Sequence, residues 1–152
     1  MRCYLVRHGD ALSAHVDPER PLSARGRAEV AEVAQLALSR EVEVLELRHS
    51  GMLRAQETAE ILARYLKPPG GVHPTAGLLP EDDPAIAKGE LEAADQPILL
   101  VSHLPYMSRL AALLVNGDAA QSIGEFSPAT MLCCTKTAAG WRIEWQIAPS
   151  LR

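Results

Sequence analysis

The tripeptide Arg7-His8-Gly9 contains residue types suited to phosphate chemistry, and it directly follows a short apolar run at residues 3–6. Arginine offers a planar fork of donors that matches phosphate oxygens and stays charged at any working pH. A neutral histidine nitrogen is a nucleophile toward phosphorus, and a glycine beside it leaves room for the approaching group. Because three residues recur by chance in many chains, the assignment depends on partners elsewhere in the sequence.

Two further segments carry matching side chains at similar places. Arg54 opens a helical pattern, and His103 follows an apolar run at residues 98–101. In an open α/β sheet the ligand crevice lies outside the carboxyl ends of the strands, so residues at such junctions converge in space. We therefore expect Arg7, His8, Arg54 and His103 to surround one anion.

The elements that must position these residues include segments whose apolar residues recur with the period of amphipathic helices. The first predicted helix follows Ser23 as N-cap and carries an apolar stripe at residues 30–38. The second runs from Leu53 to about Leu66, and the third runs from Pro105 to Asn116. A weaker fourth helix follows Asp83 and Pro84.

Two strands are continuously apolar, at residues 3–6 and 98–101. This pattern is typical of central parallel strands covered on both faces, so we expect these two to be neighbours in the middle of the sheet. Shorter strands are predicted at residues 44–47 and 72–73.

The last predicted strand alternates apolar and polar residues. We expect it to pair with residues 131–135 as a half-exposed hairpin at the sheet edge, turning near Gly140. Its apolar stripe, which we interpret as core packing, consists of Trp141, Ile143, Trp145 and Ile147.

At 152 residues the chain has the length of one domain, and we expect residues 1–152 to form it. A formal net charge of −4 argues against a broad surface for nucleic acid or membranes. No apolar stretch approaches membrane-spanning length, and Arg2 leads at once into the first predicted strand, so we expect a cytoplasmic protein.

The three cysteines form no disulfide-framework pattern, and the five histidines lack the spacing of a zinc site. We therefore predict neither a metal nor another cofactor.

Four ordered motifs together resemble the histidine phosphatase superfamily. They are Arg7-His8-Gly9, then Arg20-Pro21-Leu22-Ser23 with Gly26, then Leu53-Arg54-Ala55-Gln56 with Thr58, and finally Ser102-His103 with Pro105. Within that superfamily the segment ending in Asp10, the Ser102 motif and the closing residues 145–149 are similar to the SixA-type phosphohistidine phosphatases.

The resemblance implies a three-layer α/β/α fold with a mainly parallel central sheet and an antiparallel edge hairpin. It also implies that Arg7, His8, Arg54 and His103 form the catalytic and phosphate-binding core. Arg20 and Ser102 are further phosphate-binding candidates, although Arg20 could equally brace its loop and Ser102 could support the strand end.

For catalysis we expect one nitrogen of His8 to attack phosphorus, giving a phosphohistidine intermediate that water hydrolyses. The other nitrogen must then carry the proton and donate it to a fixed acceptor, for which a nearby backbone carbonyl is the prediction. Arg7 and Arg54 would hold phosphoryl oxygens, and a protonated His103 would add a third cation.

A general acid for the leaving group is harder to identify. Glu81, Asp82 and Asp83 form the one dense carboxylate cluster, and Glu81 and Asp82 are the candidates, although a solvated loop before a helix explains the cluster equally well. Only residues 67–96 separate the second helix from the strand before His103, too few for a lid. An uncovered site admits a phosphorylated protein, and a phosphohistidine leaves as imidazole with less need of an acid.

The leading hypothesis is a phosphohistidine phosphatase acting on a phosphorylated protein, such as a histidine-containing phosphotransfer domain. The alternatives are a phosphomonoesterase of small metabolites and a non-catalytic phosphoprotein-binding module in which His8 is idle. We expect His15, His49 and His73 to be solvated or locally satisfied rather than ligands. The oligomeric state is not predicted.

Overall fold

The computed structural model describes residues 1–150, whose strands and helices largely alternate along the chain. In order they are β1 (Arg2–Arg7), α1 (Ala24–Ser39), β2 (Glu46–His49), α2 (Leu53–Leu66), β3 (Val72–Pro74), α3 (Pro84–Ala93), β4 (Ile98–Ser102), α4 (Tyr106–Asn116), β5 (Met131–Thr137) and β6 (Gly140–Ile147).

One six-stranded sheet has the strand order β3-β2-β4-β1-β5-β6. Strands β3, β2, β4 and β1 are parallel, and β5 and β6 are added antiparallel at one edge. The two apolar strands, β1 and β4, pair directly in the middle of the sheet, as predicted, with Leu5 opposite Leu100. The carboxyl ends of β1, β2 and β4 therefore meet at the same edge of the sheet.

Helices cover both faces of this sheet. Along β1, Tyr4 and Val6 belong to a core with α1 and α2, whereas Cys3 and Leu5 belong to a second core with α3 and α4. Alternate side chains of an extended strand point to opposite faces, so a fully apolar strand contributes to both cores. The three-layer α/β/α architecture predicted from the sequence is confirmed.

Local signals account for most of the helix boundaries. The Ser23 side chain accepts a hydrogen bond from the Gly26 N–H at 2.9 Å and begins α1, and Asp83 does the same for the Ala85 N–H at the start of α3. The third predicted helix begins one residue later than expected, because Pro105 occupies the N-cap position of α4.

The strand predicted at residues 44–47 begins two residues later in the structure, where β2 is Glu46–His49. Val44 is apolar because it packs in the core ahead of the strand. Within β2, the half-buried side chains of Glu46 and Arg48 pair with each other, with an Nη2–Oε1 distance of 2.7 Å, so the strand lacks the apolar run on which the prediction relied.

The apolar stripe of β6 packs in the core, as the sequence indicated, but on both faces of the sheet. The pairing of β5 with β6 shifts between Cys133 and Cys134, which face Trp145 and Ile143 respectively. This bulge leaves Glu144 without a partner in the register, so Trp145 lies on the core of α1 and α2 whereas Ile143 lies on the core of α3 and α4. The edge position of the hairpin is confirmed.

Within residues 1–150, no helix combines the length and the apolarity needed to cross a membrane.

Candidate active site

The loops that follow β1 and β4 bring two imidazole rings together. The ring centroids of His8 and His103 are 4.9 Å apart, with an angle of 57° between the ring planes. The backbone joins the same loops, because the His8 N–H donates to the Ser102 carbonyl at 3.0 Å. Sequence-distant residues at the ends of neighbouring parallel strands therefore share one site.

His8 is buried, and its orientation is fixed by its own loop. Its Nδ1 lies 2.7 Å from the Gly9 carbonyl oxygen, which can only accept, so Nδ1 carries the proton and Nε2 carries the lone pair. Burial lowers the pKa of His8 to about 4, against a smaller opposing effect of the Gly9 carbonyl and with added repulsion from Arg54, Arg7 and Arg20. The ring is therefore neutral at pH 7, with a free nucleophilic nitrogen.

Gly9 allows the close approach of the nucleophile loop to α1 and α2. A Cβ atom at this position would lie 2.7 Å from Cγ2 of Val30. The Gly9 N–H donates to Oγ1 of Thr58 at 3.0 Å, and the Thr58 hydroxyl donates to the Arg54 carbonyl at 2.8 Å. Thr58, which is fully buried, thus joins the loop of His8 to the helical turn of Arg54.

Each predicted guanidinium group has one buried donor with no acceptor among residues 1–150. Arg7 donates from Nη1 to the Phe126 carbonyl at 3.0 Å, and Arg54 places Nη2 3.8 Å from the Met52 sulfur. Among the described residues, the buried Nε atoms of both arginines have no hydrogen-bond partner. Burial lowers the pKa of each guanidinium from its ordinary value, but arginine stays charged at pH 7.

His103 is held by a residue that the sequence did not single out. Its Nε2 lies 2.6 Å from Oγ of Ser50, which follows the carboxyl end of β2, and its buried Nδ1 has no partner among residues 1–150. Burial and the neighbouring His8, Arg54 and Arg20 lower the pKa of His103 to about 3. Burial and the nearby cations thus favour a neutral ring at pH 7, and a protonated His103 as a third cation on the phosphoryl group stays a prediction.

Arg20 lies in the loop before α1 with a φ of 50°. Its Nε donates to the Leu12 carbonyl at 3.0 Å, which braces the loop. Its charge also lowers the pKa values of His8, Arg54 and His103, so the guanidinium acts on the site electrostatically. The bracing role and a phosphate-directed role are compatible here.

Ser102 is placed differently from a phosphate ligand. Its fully buried hydroxyl donates to the Leu78 carbonyl at 2.5 Å, and a hydroxyl has one proton to give. This contact ties the end of β4 to the loop before α3. The structure favours the supporting role over the predicted phosphate-binding role.

The carboxylate candidates for a general acid lie in that same loop. Glu81 is exposed, and the Asp82 carboxylate accepts the Leu79 N–H at 2.9 Å. Asp82 also contributes to raising the pKa of the buried Tyr106, for which burial is the larger cause. The ionisable groups that shift the pKa values of His8 and His103 are arginines and, for His103, also His8. The acid role of Glu81 or Asp82 stays a prediction.

The remaining histidines lie outside this cluster. His15 is exposed, His49 accepts the Gly51 N–H on Nδ1 at 3.0 Å, and His73 lies 2.5 Å from the Gly70 carbonyl. In the part of the chain that the structure describes, no three His, Cys, Asp or Glu side chains are grouped so as to hold a metal ion.

Comparisons with known proteins agree with this architecture. The family model of the histidine phosphatase superfamily (branch 1) matches residues 3–78. Phosphohistidine phosphatase SixA of Escherichia coli K12 is 29% identical over 98% of this chain and 94% of its own length. An uncharacterised protein of a Picosynechococcus strain is 32% identical over 78% of this chain and 75% of its own.

Among solved structures, the protein histidine phosphatase SixA complexed with tungstate superposes with a TM-score of 0.85. The two chains are 28% identical, and the match covers 98% of this chain and 97% of that one. The family model, the relatives and the shared fold lead to one conclusion: this chain belongs to the histidine phosphatase superfamily and is a hydrolase of the phosphatase type.

Proposed function

We propose that this protein is a phosphohistidine phosphatase whose nucleophile is Nε2 of His8. The observation that carries the proposal is a set of three buried nitrogens, Nε of Arg7, Nε of Arg54 and Nδ1 of His103, that have no acceptor among the described residues. Buried polar groups are paired in nearly all folded proteins, so unpaired donors beside a neutral imidazole suit an anionic ligand.

The proposed reaction has two displacements at phosphorus. In the first, the Nε2 lone pair of His8 forms a bond to phosphorus while the P–N bond to the substrate imidazole breaks, and the leaving imidazole takes up a proton. In the second, water attacks phosphorus, Nε2 leaves with its electron pair, and inorganic phosphate is released. One proton of the water ends on the substrate imidazole and the other on phosphate, so the sum is hydrolysis.

The neighbouring side chains orient the nucleophile and stabilise the charge that moves in these steps. Nδ1–H of His8 stays bonded to the Gly9 carbonyl while Nε2 is phosphorylated, which keeps the ring in one orientation. Arg7 and Arg54 face the non-bridging oxygens, and each well-placed donor is worth about 3 kcal/mol in the transition state. The fixed guanidinium groups need no reorganisation when the phosphoryl group is transferred.

Phosphohistidine is the substrate class that this evidence supports best. The similar E. coli protein is named for that activity, and the similar SixA structure holds tungstate, a tetrahedral oxyanion. Between α2 and β4 the chain has only the short β3 and α3, so we propose that no lid covers the site and that a residue on another protein can reach it. We propose a phosphorylated protein as the partner and residues 1–152 as one catalytic domain. The cytoplasm stays the predicted compartment.

A substrate panel tests the proposal. Wild type, His8→Ala and the matched surface variant His15→Ala are assayed on a phosphohistidine protein, a phosphoserine peptide and an aryl phosphate. We expect wild type and His15→Ala to release phosphate fastest from phosphohistidine and His8→Ala to release none. Faster turnover of small phosphoesters would favour a metabolite phosphatase instead. Phosphoprotein binding without turnover, unchanged in His8→Ala, would indicate a binding module.

A further inference from the structure

A serine at the end of β2 contacts the second imidazole of the site. Oγ of Ser50 lies 2.6 Å from Nε2 of His103, and the ring is 2% exposed. The other ring nitrogen, Nδ1, is buried and has no partner among residues 1–150. The hydrogen bond at Nε2 is thus the one protein contact that distinguishes the two ring nitrogens.

A second contact of the serine is compatible with its donating this hydrogen bond. Oγ of Ser50 accepts the Met52 N–H at 3.3 Å, at the turn that leads into α2. A hydroxyl has one proton and two lone pairs, so Oγ can accept from Met52 and at the same time donate its proton to the lone pair on Nε2 of His103. A neutral imidazole that accepts on Nε2 carries its proton on Nδ1.

We propose that Ser50 is a positioning residue that fixes His103 as the Nδ1–H tautomer, so that the unpaired nitrogen presents a proton to the phosphoryl group. The proposal extends the proposed function, since it concerns how the same site holds its anion. In the opposite tautomer, Nδ1 would direct a lone pair at the anionic oxygens, and the ring proton on Nε2 would be donated to Ser50.

The tautomer matters because His103 is neutral at pH 7. Its low pKa, with burial as the largest cause and His8, Arg54, Arg20 and Arg7 adding to it, leaves no positive charge at pH 7 to attract phosphate. A neutral ring can donate a hydrogen bond to phosphate only from the nitrogen that carries its one proton. The hydroxyl of Ser50 can also rotate to accept from Nε2, so it tolerates a protonated ring once a phosphate dianion is bound.

The direct test is the proton position on His103 in ¹⁵N-labelled wild-type protein, read from the ring nitrogen shifts with and without inorganic phosphate, at pH 7. We expect the proton on Nδ1 in both states, with the Nδ1–H signal moving on addition of phosphate. A neutral ring that carries its proton on Nε2 would overturn the proposal. This measurement needs no turnover, so it is independent of whether the chain hydrolyses phosphohistidine.

Two variants extend the test. Ser50→Ala should populate the Nε2–H tautomer of His103 and weaken inorganic phosphate binding about tenfold, whereas Ser50→Thr, which keeps the hydroxyl, should restore both. A purely structural role would change stability without changing the tautomer. An unchanged tautomer and unchanged phosphate affinity in Ser50→Ala would refute the proposal. If Ser50→Ala does not fold, the wild-type spectrum and Ser50→Thr decide.

Discussion

Acid should destabilise this protein through the two histidines of its active site. Burial lowers the pKa of His8 to about 4 and that of His103 to about 3, whereas an exposed histidine in the unfolded chain has a pKa near 6.5. Between pH 7 and pH 5 the unfolded chain takes up a proton at each position and the folded chain takes up neither. Proton linkage then lowers the free energy of unfolding by about 2 kcal/mol for each histidine over this interval.

The sign follows from which state binds more protons. Because the folded pKa values are depressed, the unfolded state holds the extra protons below pH 6.5, so stability rises with pH between about 4 and 6.5. Carboxylates contribute their own acid dependence in every variant. The informative quantity is therefore the difference between wild type and a variant that lacks one histidine.

Urea denaturation at pH 7 and pH 5 measures this difference. In His8→Gln the loss of unfolding free energy on acidification should be smaller than in wild type by about 2 kcal/mol. The matched control, His15→Gln, removes an exposed histidine and should lose as much as wild type. If His8→Gln and wild type lose the same free energy, His8 is not a buried neutral ring and the reasoning fails.

Three further predictions concern the frame of the site. Thr58→Val removes both hydrogen bonds of a buried hydroxyl, so it should lower the unfolding free energy by about 2 kcal/mol and also lower kcat. Thr58→Ser keeps the hydroxyl and should leave the unfolding free energy and kcat near their wild-type values, as urea titration and steady-state kinetics can check. Gly26→Ala should cost about 3 kcal/mol because its Cβ collides with a carbonyl of the loop after β1, whereas Gly89→Ala, in open space within α3, should stabilise by about 1 kcal/mol; thermal unfolding that ranks the two variants the other way would contradict this. Arg54→Gln should lower kcat/KM by about 10² to 10³ with the fold intact, while Arg64→Gln, exposed in the same helix, should not; equal losses in both would argue against a phosphate role for Arg54.

The sequence predicts the fold correctly where one pattern of apolar residues dominates a segment. The continuous apolarity of β1 and β4 indicates burial on both faces, and their central pairing is confirmed. The bulge opposite Cys133 and Cys134 was not predictable, because the alternation in β6 continues through Glu144 without a sign of the register shift. The position of β2 was misjudged because two of its side chains are polar and pair with each other in a half-buried position.

The proximity of His8 and His103 was predictable because the carboxyl ends of parallel strands share an edge. The same rule points to Ser50, since it directly follows β2, but a lone serine carries no chemical signal of its own. Thr58 and the Phe126 carbonyl act through hydrogen bonds between elements, and only coordinates reveal those partners. The protonation of His103 stayed open at the level of sequence, because the sequence does not show how deeply the residue is buried.

The central claim is that Nε2 of His8 becomes phosphorylated during turnover. Rapid quenching of wild-type protein mixed with a radiolabelled phosphohistidine protein, followed by peptide mapping, tests it most directly. We expect label on the peptide that contains His8, stable in alkali and lost in mild acid, and none in His8→Ala. Turnover by the wild type with no label on that peptide at any time point would contradict covalent catalysis by His8.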